Sequence, residues 1–246
     1  FKRNPDFPSF KARFELLRAP YLLRWSDEEP IYAKRIPAIA ENKHVAPHLT
    51  RIVALWAVLT RLRRPVAKHF SSELGALVSR LKPMEKAMLY DSGATPPGWA
   101  DTDRKLLRGS VAAIASEYDL VEEEFEGLVD ASYEGRRGAS PREIVVILHQ
   151  AAKDPDMACL SPLAVLKAIR KMSGDRSLYE FLRLPSEAGY GDVERLTDSV
   201  EGEYRRLVRD EVHRAVALVE EDAHVTLFHD YFKHAKASDG GEKILS

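Results

Sequence analysis

The near-absence of strand signals is the feature that most limits what this chain can fold into. Helix signals recur from Ser26 onward, and the one segment with the character of a strand is Phe14–Arg18, which is bounded by Pro20. Because one strand cannot make a sheet, we predict a mostly α-helical chain with one orphan strand. That strand either stays an isolated extended segment or completes a sheet whose other strands lie before Phe1.

Prolines and polar caps predict where the N-terminal helices begin and end. Ser26 and Glu29 have the spacing of a capping box, and Pro37 is expected to kink or end the helix that they start. Pro47 opens a second helix and Pro65 stops it. Its apolar positions follow the three-four spacing of one buried face: Leu49, Ile52, Val53, Trp56, Leu59 and Leu62. Similar patterns predict helices over 68–81, 83–91, 103–118 and 120–133.

Two glycine-containing breaks interrupt the helical pattern further along. The segment Ser92–Ala100 holds two prolines and two glycines and is the clearest linker. The second break is Gly135–Gly138. After it, Ser140–Glu143 combines a cap, a proline at the first helical position and a glutamate that closes a capping box. Ser161–Pro162 starts the next helix, and 192–237 has the pattern of one very long helix or two stacked helices.

Charge and cysteine content limit which binding partners and which cellular compartment we expect for this chain. The 37 Lys and Arg residues are balanced by 38 Asp and Glu residues, so the formal net charge is −1 and the chain lacks the basic balance of a nucleic-acid-binding protein. Cys159 is the only cysteine, which excludes an intramolecular disulfide and favours a reducing, cytoplasmic setting. Apolar stretches such as Ile52–Thr60 are far shorter than the roughly 20 residues that span a bilayer. We therefore expect neither a nucleic acid nor a membrane as a partner.

The common nucleotide and metal motifs are missing from these residues. The chain contains no G-x-x-x-x-G-K-[ST], no G-x-G-x-x-G, no H-R-D and no D-F-G. Residues 216–221 imitate a Walker B strand but lie within a helical pattern. Two pairs of possible ligands have helical spacing, His44 with His48 and Asp230 with His234. Neither pair has a third ligand at a persuasive spacing. We therefore predict no metal site.

Three ordered motifs carry a resemblance to a known family. Residues Arg18–Tyr32 are similar to V/A-P-Y-x-L-R-x-[ST]-[ED]-E-x-x-I-Y, residues Ala57–Pro65 to S-V-L-T-R-L-x-x-P, and residues Gly138–Arg142 to G-I-S-T-R. These motifs resemble the PrkA family, which comprises bacterial serine protein kinases built on an AAA+ ATPase module. The resemblance covers about residues 5–150.

The resemblance implies a domain plan and an activity. Residues 1–24 would be the end of an AAA+ core with its last strand, residues 25–90 the helical AAA+ lid, and residues 91–246 an incomplete, all-helical C-terminal domain. The P-loop and Walker B strand would precede Phe1, so ATP and Mg²⁺ would be bound mainly by that part. The chain would belong to an ATP-dependent serine protein kinase with a protein substrate, and it would form a homo-oligomer through the AAA+ module. The isolated chain is expected to be inactive.

The resemblance also suggests site residues, all of them arginines. Arg13 matches the arginine before the last strand and is the candidate arginine finger, supplied to a neighbouring subunit. Arg61 in the T-R-L motif is a candidate sensor-2-type residue that binds the nucleotide, and Arg51 is the alternative for that role. Arg142 matches the arginine of the family's G-I-S-T-R motif, and no role is assigned to it. An ordinary surface ion pair is the alternative interpretation for each of them.

A second hypothesis needs no catalysis. An all-helical chain of this kind could be a regulatory or interaction module, with the segment 192–237 packed on a partner helix. Its apolar positions only partly keep a heptad, which disfavours a sustained coiled coil. A P-loop motif encoded upstream of Phe1 would decide for the ATPase, and a start codon just before Phe1 would decide for the module.

Overall fold

The computed structural model describes residues 19–117 and 134–216, and these residues fold as a helical assembly. The α-helices are α1 (Trp25–Ala33), α2 (Ile36–Ala40), α3 (Leu49–Arg61), α4 (Ser72–Val78), α5 (Pro83–Ser92), α6 (Asp101–Gly109), α7 (Val111–Ala115), α8 (Pro141–Ala152), α9 (Pro162–Ser173) and α10 (Val193–Val216). Short 3₁₀ helices cover Ala67–His69 and Glu180–Arg183. Within the described ranges, extended pairing is limited to two isolated bridges. The mostly helical fold is therefore confirmed, whereas the predicted strand Phe14–Arg18 lies outside the described residues.

The central helix is α3, and it is buried on all sides. Every residue from Ile52 to Arg61 is buried, so the predicted one-sided apolar face was too narrow. The helix packs against α1 and α5 and also against α8 and α9. A helix that is apolar around its whole circumference is typical of a core position. The end of α3 therefore lies deep in the molecule.

The cap at the start of α1 comes from a distant residue, which corrects the predicted capping box. The helix begins at Trp25, and its N-cap residue Arg24 makes no side-chain cap. Instead, the Ser26 N–H donates to the Asp91 carboxylate at 2.8 Å, so the last turn of α5 caps α1. Pro37 also differs from expectation, because it lies in the first turn of the new helix α2.

Two further predicted helices are interrupted. The helix predicted over 68–81 is a 3₁₀ turn followed by α4, because the Ser71 hydroxyl accepts the Leu74 N–H and caps a new start. The helix predicted over 103–118 breaks near Ser110 into α6 and α7. The helix predicted over 120–133 lies outside the described residues.

Helix starts in the second half follow the sequence signals closely. The Ser140 hydroxyl accepts a hydrogen bond from the Glu143 N–H, and the Glu143 carboxylate accepts one from the Ser140 N–H at 2.6 Å. The predicted capping box is therefore confirmed. Ser161 caps α9 in the same way through the Ala164 N–H. The predicted long helix is present as α10, and its continuation beyond Val216 lies outside the described residues.

Among the described residues, those up to Glu201 form one compact unit, and those from Gly202 to Val216 belong to a second. Within the first unit, α3 contacts α8 and α9, although these helices fall on opposite sides of the domain boundary predicted at residue 90. The domain limits therefore stay a prediction. No helix in the described part of the chain is both long and apolar enough to cross a bilayer.

Candidate functional site

The last residue of α3, Arg61, is a buried cation held from three parts of the chain. Its side chain and that of Glu28 are 0% and 1% exposed, and they form a two-pronged ion pair at 2.7 and 2.9 Å. The same guanidinium donates to the Leu22 carbonyl at 3.0 Å and to the Ala139 carbonyl at 2.8 and 3.0 Å. These bonds use all five N–H donors of an arginine. We call this arrangement the Arg61 clamp.

The clamp joins segments that are far apart in sequence. Glu28 lies on α1 and also accepts a hydrogen bond from the Tyr32 hydroxyl one turn later. Leu22 precedes α1, and Ala139 lies in the loop that leads into α8. A bidentate, fully buried pair with its remaining donors satisfied by carbonyls is the geometry in which a buried ion pair is tolerated. The clamp therefore fixes α1, α3 and the start of α8 against one another.

A second buried ion pair lies beside the first. Lys86 on α5 and Glu134 are 0% and 1% exposed, with Nζ and Oε1 2.6 Å apart. Glu134 also accepts from the Tyr90 hydroxyl at 2.8 Å and from the Arg63 N–H at 2.7 Å. The Lys86 ammonium donates to the Arg63 carbonyl at 2.7 Å. Both backbone groups of Arg63 are thus held by buried charges.

A third buried carboxylate completes the support for the segment after α3. Glu117 accepts the Val66 N–H at 2.7 Å and contacts the His69 Nδ1 atom at 2.9 Å. Its side chain is fully buried. The irregular segment from Arg63 to Val66 is therefore held at both ends by bonds between its backbone and buried side chains.

The turn Gly135–Gly138 is pinned to the end of α3. The Ala139 N–H donates to the Thr60 hydroxyl at 2.8 Å, and the Gly135 N–H donates to the Arg61 carbonyl at 3.4 Å. Gly138 has φ of 122°, which favours glycine, and a Cβ atom there would lie 2.6 Å from the Arg61 Cγ atom. The glycine allows the turn to approach the clamp closely.

We expect Gly138→Ala to destabilise the chain by roughly 2–4 kcal/mol, because strain at a positive φ adds to overpacking against Arg61. Urea denaturation followed by circular dichroism measures this free energy of unfolding. The matched control is Gly202→Ala in α10, where no atom lies within 4 Å of the added methyl. That change should stabilise the helix by about 1 kcal/mol. Equal effects of the two substitutions would contradict the close-approach explanation.

Because two tyrosines are buried beside carboxylates, we expect the chain to lose stability in alkaline solution. Burial, and then the neighbouring carboxylates Glu28 and Glu134, raise the pKa values of Tyr32 and Tyr90 well above that of a free phenol. Their contribution is complete below about pH 10, the unfolded value, and is lost as the pH rises toward the folded values. Each phenol should lower the free energy of unfolding by about 1.4 kcal/mol per pH unit in that window. Urea titrations at several alkaline pH values measure the slope, and a Tyr32→Phe, Tyr90→Phe double variant should lack the part of it that these two phenols contribute.

A cavity of about 440 Å³ opens beside the end of α3. It lies between the segment that follows α3, the Gly135–Gly138 turn and a loop at residues 184–191. Five of its lining residues are arginines and one is a glutamate: Arg61, Arg63, Arg64, Arg136, Arg137 and Glu187. Its remaining lining residues are mainly apolar or small, and they include Leu62, Leu184 and Pro185.

The predicted site residues occupy very different positions. Arg13 lies outside the described residues. Arg51 packs its guanidinium over the Trp25 ring at 4.7 Å, near the start of α3. Since Arg61 is ten positions further along the helix, the two lie about 15 Å apart along the axis. Arg142 is exposed on the first turn of α8.

The nucleotide roles of Arg51 and Arg61 stay predictions. In the described arrangement the Arg61 guanidinium has each of its N–H donors bonded within the protein, which is the geometry of an internal ion pair. Among residues 19–117 and 134–216, no three His, Cys, Asp or Glu side chains are grouped as metal ligands.

Sequence reasoning missed the partners of the buried cations. Glu28 lies in the first turn of α1, where an acidic residue suits the positive end of a helix, and the structure buries it against Arg61. Lys86 and Glu134 gave no signal, since a single Lys or Glu in a helical pattern is ordinarily solvated. The family motifs and the glycine break at Gly135–Gly138 marked this place in the chain, but they did not show which side chains pair there.

Comparison with known proteins assigns the fold to an AAA-type domain followed by a helical C-terminal domain. Residues 1–69 match the family model of the PrkA AAA domain, and residues 84–245 match that of the PrkA serine protein kinase C-terminal domain. The chain therefore belongs to the PrkA family, as the three sequence motifs indicated.

One curated relative is an ATP-dependent protease, PrkA, from Bacillus subtilis (strain 168). It is 25% identical over 248 residues, which cover 99% of this chain and 33% of the relative. The chain thus spans about a third of the length of the curated relative it matches. No solved structure matches the chain.

Proposed function

We propose that this chain is the lid and C-terminal part of an ATP-dependent serine protein kinase of the PrkA type, and that it transmits movement of the AAA+ module to the C-terminal domain. ATP and Mg²⁺ would be bound mainly by the family's P-loop region, which these residues do not contain. The AAA-type domain match supports nucleotide dependence. Protein serine as phosphate acceptor, assembly into a homo-oligomer and a cytoplasmic location belong to the same proposal.

The observation that carries the proposal is the buried joint at the end of α3. The Arg61 clamp connects Leu22 and α1, within the proposed AAA+ part, to Ala139 at the start of α8. The pair formed by Lys86 and Glu134 connects the same two parts a second time. Because buried, hydrogen-bonded ion pairs resist separation, α1, α3 and α8 would move as one body. A lid that closes on nucleotide would thus carry the C-terminal domain with it.

Thr60→Val in the full gene product tests this transmission. The valine keeps the side-chain volume but removes the acceptor of the buried Ala139 N–H, which should loosen the joint at a cost of about 1–3 kcal/mol. We expect ATP hydrolysis to remain while the amount of protein substrate turned over per ATP hydrolysed falls severalfold. The control is Ser79→Ala, whose hydroxyl bonds the Ala76 carbonyl on an exposed surface. If Thr60→Val leaves the amount of protein substrate turned over per ATP hydrolysed unchanged, the proposal is wrong.

Arg13→Ala tests the proposed arginine finger. If Arg13 stabilises the transferred phosphoryl group in a neighbouring subunit, its removal should lower ATP turnover by up to about 10³-fold. The measurement is steady-state ATP hydrolysis by the full gene product, with Arg142→Ala as an exposed arginine control. Unchanged turnover in Arg13→Ala would reject the assignment while leaving the joint at α3 unaffected.

ATP-dependent proteolysis is the second candidate activity, because the Bacillus subtilis relative is named an ATP-dependent protease. Incubating the full gene product with ATP and a protein substrate separates the two. Label transferred from the γ-phosphate of ATP to serine supports the kinase, and ATP-dependent peptide release supports the protease. If neither occurs and ATP is not hydrolysed, the non-catalytic helical module is favoured. By itself, the 246-residue chain has no P-loop and should not bind ATP with sub-micromolar affinity.

A further inference from the structure

The connection between α2 and α3, residues 41–48, holds two residues at a positive φ. Glu41 ends α2 with φ of 51° and ψ of −106°, and His48 directly precedes α3 with φ of 63°. A residue that carries a Cβ atom ordinarily avoids a positive φ, and the angles of Glu41 also lie outside the small left-handed helical region. Such conformations are costly and persist only where surrounding contacts enforce them. We call residues 41–48 the strap.

A lysine ties the strap to the loop between α8 and α9, residues 153–161. The Lys43 ammonium donates to the Asp154 carbonyl at 2.8 Å and to the Met157 carbonyl at 2.9 Å. Hydrogen bonds from a charged donor are stronger than those between neutral groups. One side chain therefore fastens the strap to two points of a loop that is more than 100 positions away in sequence.

The backbone of the strap is tied to the same loop. The Leu160 N–H donates to the His44 carbonyl at 2.9 Å, and the Ala46 N–H donates to the Leu160 carbonyl at 3.0 Å. These two bonds form the isolated parallel bridge between Val45 and Leu160. Together with the Lys43 bonds, they are the contacts that enforce the strained backbone of the strap.

Little apolar burial supports these hydrogen bonds. Every residue of the strap is exposed or half-buried, and in the loop that it contacts only Leu160 and Ser161 are buried. The helix that follows differs sharply, because each residue from Ile52 to Arg61 is buried. Segments with few buried apolar contacts and solvent-exposed backbone bonds open locally at a much lower free energy than the core. The strap thus combines strain with weak support.

We propose that the strap is a latch that opens and closes while the rest of the compact unit stays folded, and that its opening releases α2 from α8. In the closed latch, the bonds to the 153–161 loop offset the strain at Glu41 and His48, and opening relieves that strain. The helix α2 contacts α8 and is continuous with the strap. The Arg61 clamp uses other segments, so α1, α3 and α8 stay joined when the strap opens. The latch does not require the activity proposed above.

Amide hydrogen exchange of the 246-residue chain, measured by NMR, tests whether the strap opens by itself. The Ala46 and Leu160 amides are the donors of the closed strap, and the Leu55 amide at the centre of α3 reports on the core. We expect the first two to exchange at least about 100-fold faster than the third. Lys43→Met should speed exchange at Ala46 and Leu160 about tenfold further, because two charge-assisted bonds are lost, and should leave Leu55 unchanged.

A matched pair of substitutions at Glu41 tests the strain. Glu41→Gly and Glu41→Ala remove the same exposed carboxylate, but only alanine keeps the Cβ atom that makes a positive φ costly. The glycine variant should therefore exchange its Ala46 amide about fivefold or more slowly than the alanine variant, a gain that damage to the fold cannot produce. Asn42→Gly, at an exposed neighbour without a positive φ, should not slow exchange, since glycine there only adds freedom to the open strap.

Two results together support the latch: faster exchange at Ala46 and Leu160 than at Leu55, and slower exchange in Glu41→Gly than in Glu41→Ala. Exchange at Ala46 and Leu160 that is as slow as at Leu55 overturns it, because the strap then opens only when the whole unit unfolds. Equal or faster exchange in Glu41→Gly than in Glu41→Ala also overturns it, because the closed strap then stores no strain.

Discussion

Replacing Arg61 with methionine should lower the free energy of unfolding by about 3–5 kcal/mol. Methionine fills the stem of the side chain but leaves the Glu28 carboxylate buried without its cation, and the Leu22 and Ala139 carbonyls without a donor. Breaking a buried ion pair from one side is among the most damaging single changes in a protein. Since small domains are stable by only about 5–15 kcal/mol, the loss should be visible as a large shift of the urea midpoint.

Two further variants test whether the loss of stability comes from breaking the buried clamp or would follow from the loss of any arginine. Arg206→Met removes an exposed arginine that pairs with Glu203 and Asp210 on α10, and it should cost at most about 1 kcal/mol. Adding Glu28→Leu to Arg61→Met should restore about 2 kcal/mol, because no unpaired charge is then left in the core. If Arg61→Met costs no more than the exposed control, the description of the clamp is wrong.

Lys86→Met should destabilise the chain by a similar amount, about 3–5 kcal/mol, for the same reason. It leaves Glu134 buried and charged, and it also removes the donor of the Arg63 carbonyl. The position of the segment after α3 should therefore loosen together with the loss of stability. Urea denaturation measures the stability, and hydrogen exchange of the Arg63 and Val66 amides measures the loosening.

Lys167→Met is the matched control for Lys86. Lys167 also pairs with two carboxylates, Asp154 at 2.8 Å and Asp156 at 3.0 Å, but its side chain is 48% exposed. Its replacement should leave the urea midpoint nearly unchanged, since water solvates the partners that remain. A large effect at Lys167, or a negligible one at Lys86, would show that burial is not what makes these ion pairs matter.

Local signals in the sequence predicted the elements whose causes are local. The capping box at Ser140 and Glu143 and the cap at Ser161 each involve residues three apart, so they can be found without a structure. The start of α1 could not be predicted in this way, because its cap is Asp91, 65 residues away. The family resemblance found the segments 18–32, 57–65 and 138–142, and the structure shows that all three meet at the Arg61 clamp.

The sequence by itself determined that the chain is helical, where most helices begin, and which family it belongs to. Only the tertiary structure decided what its charged residues do. Arg61 and Glu28 are 33 positions apart, and Lys86 and Glu134 are 48 positions apart. A charged residue has the same local signature whether it is solvated or buried against a distant partner, because its cost and its compensation both depend on three-dimensional packing. The scarcity of strand signals in the sequence therefore predicted the fold class, while the buried charges that hold the described helices together became visible only once the helices were packed.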